Sequence, residues 1–98
     1  MNINKEIQIK AILNFDFFNG TGPLCVSRTE IEEYVRENGL PSSAPKSGGL
    51  SYELKNESWV ITYFERNINI GSESYQSEMD ALEVILDHAL PNYKRHNA

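Results

Sequence analysis

The chain has 98 residues, 40% of them hydrophobic and 23% charged, and its 14 acids against 9 bases give a net charge of −5. That length suits one small domain with one thin core, and the acidic balance speaks against a nucleic-acid binder or a peripheral protein on anionic lipid. A single cysteine, Cys25, excludes an intrachain disulfide and fits a reducing compartment, while the charges in MNINKEIQIK stand where a signal peptide needs apolar residues, so a cytoplasmic protein is expected.

Residues 3–18 admit two readings. Ile7, Ile9, Ala11, Leu13, Phe15 and Phe17 alternate as in a half-buried strand. Ile12 and Phe18 break the polar face of that alternation, and the run is longer than a usual strand. Lys5–Leu13 also consists mostly of good helix formers, with no Val or Thr. We read the segment as a largely buried helix and keep the strand as the alternative. Asn19-Gly20-Thr21-Gly22-Pro23 follows as a turn cluster.

Ser27-Arg28-Thr29-Glu30 fits a capping box, in which a hydroxyl and a carboxylate satisfy two orphan amide donors. Ile31, Tyr34 and Val35 repeat at helical spacing, and Gly39 before Leu40-Pro41 stops the pattern, which predicts a helix over about 27–38. The Pro, Ser and Gly residues of 41–49 read as a loop. Ser51–Leu54 is a short strand. Trp59–Phe64, aromatic or β-branched on both faces, predicts a central strand buried on both sides, with Trp59 anchoring the sheet against a helix. Asn67–Gly71 offers turn chemistry, and Ser72–Gln76 runs back as an edge strand. Ser77 opens a second helix over about 78–90. Ala81, Leu82, Val84, Ile85, Leu86 and Ala89 form its apolar face, and Pro91 ends it. The expected fold class is α+β: one domain over 1–98, with a three-stranded antiparallel meander packed on one face against the helices.

Little in the chain suggests catalysis. A Cys–His pair would have to join Cys25 to His88 or His96, yet Leu24 and Val26 around Cys25 suggest a buried, inert thiol. Two isolated histidines do not make a zinc site, and His88 reads as a helix C-terminal residue favoured by the dipole. Gly20-Thr21-Gly22 lacks the third glycine and the Lys-Ser/Thr pair of a phosphate loop, and Gly48-Gly49 precedes a strand, so turn geometry accounts for both. No catalytic residue, metal, cofactor or small-molecule substrate is expected.

Carboxylates are the group in excess, and they are not spread evenly. Residues 67–90 carry five acids and no base. Asp80, Glu83 and Asp87 form one stripe of the second helix, and Glu30, Glu33 and Glu37 repeat the spacing on the first. Like charges so placed repel by a few tenths of a kcal/mol per pair. Such stripes serve either as solvated faces or as an interface for a basic protein, and they are expected to carry partner binding here. Tyr63, with Tyr52 and Tyr75 on the predicted strands, is a further contact candidate, although most of the aromatics should be core.

The run Leu50-Ser51-Tyr52-Glu53-Leu54, then Trp59 to Arg66, then Tyr75-Gln76-Ser77-Glu78-Met79-Asp80-Ala81 resembles small bacterial immunity proteins of polymorphic toxin and contact-dependent inhibition systems. Asn19–Leu24, Gly39-Leu40-Pro41 and Gly48-Gly49 are similar too, so the resemblance covers roughly residues 19–90. It departs at Asn67, where the pattern has Gly. The resemblance implies a non-enzymatic protein that binds and neutralises a cognate toxin, often a nuclease, in the cell that makes both. It carries no binding residues over. Another acidic interaction module, an adaptor or a DNA-mimicking inhibitor, is the alternative.

Overall fold

The computed structural model describes residues 2–98 as two layers, measuring 34 × 31 × 16 Å overall. In chain order the elements are helix α1 (Ile3–Leu13), a 3₁₀ turn (Phe17–Asn19), helix α2 (Arg28–Asn38), strands β1 (Ser43–Ser47), β2 (Leu50–Lys55), β3 (Ser58–Glu65) and β4 (Ile68–Tyr75), and helix α3 (Glu78–His96). The α+β class and the antiparallel meander stand as expected, with four strands in the order β1-β2-β3-β4 where three were expected.

The N-terminal segment is helical, but only to Leu13. There Phe15 takes φ 54°, the Asp16 amide donates to Ala11 and the Phe15 amide to Ile12. These two bonds form a Schellman cap, with Phe15 where glycine is usual. The alternation of apolar residues comes from this break: Ile9, Ala11, Ile12 and Leu13 are buried from the helix, Phe15 and Phe17 from the turn beyond it, and Ile7 and Phe18 are exposed.

Helix α2 begins with the capping box as read, since Ser27 Oγ accepts from the Glu30 amide and the Glu30 carboxylate accepts from the Ser27 amide. It ends at Gly39, at φ 81°. The first difference in the sheet is β1, which the composition of 41–49 concealed. Pro45 sits within it, next to a register irregularity between Ala44 and Ser47. An edge strand tolerates this because a proline there need not donate to a neighbour.

All three hairpins close through two residues with positive φ: Gly48-Gly49 (61° and 82°), Asn56-Glu57 (51° and 66°) and Arg66-Asn67 (50° and 68°). That is type I′ geometry, whose twist matches the strands it joins. Asn67 thus takes a left-handed φ at the position where the resembling pattern has glycine. The last turn being so tight, β4 starts at Ile68, and the expected turn over Asn67–Gly71 is mostly strand with a bulge.

Strand β3 is central, as read, but only one of its faces is buried. Trp59 and Ile61 are in the core with Leu50, Tyr52 and Ala44, while Val60, Thr62 and Phe64 are half-buried on a face that no helix covers. The helices lie on the Trp59 side. Tyr52 donates to the Leu13 carbonyl at the end of α1, and the Tyr63 ring lies 5.6 Å from His88 of α3. Finally, α3 does not stop at Pro91 but continues to His96.

Candidate functional site

The α3 stripe is not a free acidic face. Arg28, the first residue of α2, donates to Glu83 Oε2 at 2.7 Å, to the Glu83 carbonyl at 2.9 Å and to Asp87 Oδ1 at 2.9 Å. A planar guanidinium with several donors can hold two carboxylates at once, which a lysine cannot do as well. The repulsion within the stripe is therefore relieved from another helix, and Glu83 and Asp87 serve the α2–α3 junction. Asp80 is different: its amide donates to the Ser77 cap, its side chain is exposed, and it has no ion pair among the described residues.

The α2 stripe divides in the same way. Glu30 accepts from Lys5 Nζ of α1 at 2.8 Å and from the Ser27 amide at 3.1 Å. Lys5, and after it the Ser27 amide, holds the Glu30 carboxyl below its ordinary value, and Glu30 raises Lys5 in turn. Glu33 and Glu37, one turn apart, are exposed and unpaired among the described residues. They line an open cleft of about 620 Å³ between α1 and α2, together with Glu6, Glu30, Lys5 and the half-buried Tyr34. Four carboxylates against one lysine make this cleft acidic, with one aromatic wall.

The tyrosines are mostly structural. Tyr52 is fully buried, and burial raises its hydroxyl well above the ordinary value. Tyr63 points to the covered side of the sheet, where burial first and Glu73 second push it up to about 12. Opposite it stands Gly71, whose missing side chain leaves the ring partly open. Tyr75 donates to Glu73 at 2.9 Å. The structure places Tyr63 beside His88 of α3 and outside the lining of the α1–α2 cleft.

Two further expectations are corrected. Cys25 is exposed, and it is held through its backbone, the Cys25 amide donating to Gln8 Oε1 at 2.9 Å. His88 lies inside α3, its Nδ1 3.1 Å from the Val84 carbonyl. Among the described residues no three His, Cys, Asp or Glu side chains gather where they could hold a metal ion. Lys5, Arg28 and Tyr34 belong to these sites although neither the charge stripes nor the strand aromatics single them out. Lys5 lies 25 positions from Glu30, and Arg28 lies 55 and 59 from Glu83 and Asp87; Tyr34 sits at a core spacing, so no local signal marks these roles. No helix is long and apolar enough to cross a membrane among the described residues. Comparison with known protein families, characterised proteins and solved structures finds no match.

Proposed function

We propose that this chain is an immunity-type protein of the cytoplasm: it binds a basic toxin domain of the nuclease kind and neutralises it by occluding the active site, with no catalysis of its own. The observation that carries the reading is the set of carboxylates the fold does not use, Glu33 and Glu37 in the α1–α2 cleft beside Tyr34. Nucleases gather Lys and Arg around the phosphates they cleave, and an acidic cleft with an aromatic wall is complementary to such a surface. Exposed Asp80 is a second, separate contact. The resemblance of residues 19–90 to immunity proteins supports the same class. A DNA mimic fits less well, because Lys5, Lys10, Arg28 and Arg36 interrupt the acids on α1 and α2.

The test is association with the toxin-domain product of the neighbouring gene, timed at low and high salt. Glu33→Lys combined with Glu37→Lys is expected to slow association by about tenfold or more and to flatten its salt dependence, as loss of electrostatic steering does. Glu83→Gln should do much less, because that carboxylate is already paired. An unchanged rate and salt slope for the double variant, or turnover of a small substrate that is lost in Cys25→Ala, would overturn the proposal.

A further inference from the structure

The two edges of the sheet are built differently. Strand β1 has only five residues, contains Pro45, is interrupted between Ala44 and Ser47, and places Lys46 Nζ 4.6 Å from the centre of the Phe64 ring. Short length, proline, irregular register and lysine are the devices by which natural sheets discourage another strand from pairing. Strand β4 has eight residues and no proline, and all but Tyr75 are exposed. A bulge near its start and the carboxylate of Glu73 are its only such devices.

Its free backbone groups can be located. The Phe64 amide donates to the Gly49 carbonyl on the β2 side. In an antiparallel ladder the direction alternates, so even-numbered residues of β3 bond to β2 and odd-numbered ones to β4. Trp59 and Ile61 face Tyr75 and Glu73. The intervening Ser72 and Ser74 therefore present their N–H and C=O groups outward. Ile68 and Ile70, 66% and 61% exposed, flank this stretch on one side, and Glu78 and Asp80 lie beyond it on the other.

We propose that the β4 edge accepts an extended strand bearing lysine or arginine from a basic protein partner, which extends the sheet by main-chain hydrogen bonds at Ser72 and Ser74. The inference rests on the proposed binding of a basic protein and adds a second, main-chain contact to it. Charge selects the occupant. The edge and the start of α3 carry Glu73, Glu78 and Asp80 with no base between residues 67 and 90, so a cationic strand is attracted. A second copy would bring the same acids and another net charge of −5 to the junction.

The experiment titrates the ¹⁵N-labelled full chain with a capped peptide, Ac-Lys-Val-Thr-Val-Lys-Val-Thr-Lys-NH2, and with the same peptide carrying Glu for each Lys. Amide shifts are expected along Ile68–Tyr75, with the lysine peptide binding about tenfold more tightly than the glutamate one and about tenfold more weakly to Ser72→Pro, which removes one outward donor. Ser72→Lys, which keeps every backbone donor, should weaken the lysine peptide alone. Shifts in the α1–α2 cleft instead, no shifts, equal binding of both peptides, or concentration-dependent β4 shifts without peptide would each overturn the proposal; the last would mark a second copy as the occupant. If the toxin-domain product binds Ser72→Pro as it binds wild type but fails to bind Glu33→Lys/Glu37→Lys, the strand proposal falls and the binding reading stands. If that product does not bind wild type at all, the binding reading falls, and the peptide titration still decides what the edge accepts.

Discussion

Phe15 shows how a single residue can hold a costly conformation when burial outweighs it. A left-handed φ costs an ordinary residue about 1–2 kcal/mol. The ring is 5% exposed, 5.4 Å from the centre of Phe17 and 6.3 Å from that of Tyr52, and truncating a buried Phe costs about 3–5 kcal/mol. Phe15→Gly relieves the first term and loses the second, so it is expected to destabilise the protein by a net of about 1–4 kcal/mol in urea denaturation. A variant more stable than wild type would show that backbone strain dominates. Gln8 is a second such residue. It is the buried polar side chain of the core, and it donates to the Thr21 and Pro23 carbonyls at 2.9 and 3.0 Å while accepting from Cys25. These bonds fasten the 21–25 connection to α1. Gly20 completes the packing there, because a Cβ on it would lie 2.4 Å from Tyr93 Cε2. Close approach, and not turn geometry, explains this glycine.

Among the elements, α3 runs furthest past its local signals. Pro91 lacks the amide that would donate to Asp87, and a helix-interior proline costs about 3 kcal/mol. The helix continues because its last turns dock on the rest of the protein. Tyr93 is fully buried and donates to the Gly22 carbonyl at 2.9 Å, and Asn97 Nδ2 donates to the Phe17 carbonyl at 2.8 Å. His96 stacks on Phe17 at 6.0 Å. Pro91 itself is exposed and contributes little packing. Pro91→Ala is therefore expected to raise stability by about 1–3 kcal/mol, read as a higher midpoint of chemical denaturation. A lower midpoint would show that the ring supports the C-terminal turn.

For the whole molecule, the flat two-layer shape leaves the three helices side by side with polar seams between them. Lys5–Glu30 joins α1 to α2, and Arg28 with Glu83 and Asp87 joins α2 to α3. These seams use up acids that would otherwise add to the negative field, and on the helices they leave Glu33, Glu37, Glu78 and Asp80 without an ion pair among the described residues. Because Glu30 titrates below its ordinary value of 4.5, the pair stabilises the fold at neutral pH, and that contribution is lost as pH falls through the lowered value. Lys5, raised from 10.5, loses its share only in strong base. Stability measured across the acid range should therefore fall more steeply for wild type than for Glu30→Gln. Parallel curves would show that the pair contributes nothing.

What the sequence determined by itself was local: the Ser27 capping box, the stop at Gly39, the Ser77 cap, the strands around Tyr52 and Trp59, and the α+β class that follows from their order. Each rests on residues within a few positions of one another, where backbone hydrogen bonding and side-chain periodicity are decided. Only the tertiary structure decided that a proline-bearing segment becomes β1, that α3 passes Pro91, that Cys25 is exposed and that one face of β3 stays open. It also decided which acids are available, since Lys5 reaches Glu30 across 25 positions and Arg28 reaches Glu83 across 55. Charge spacing on a helix says which carboxylates share a face, whereas the neutralisation of Glu30, Glu83 and Asp87 depends on cations that arrive from other elements once the core has closed.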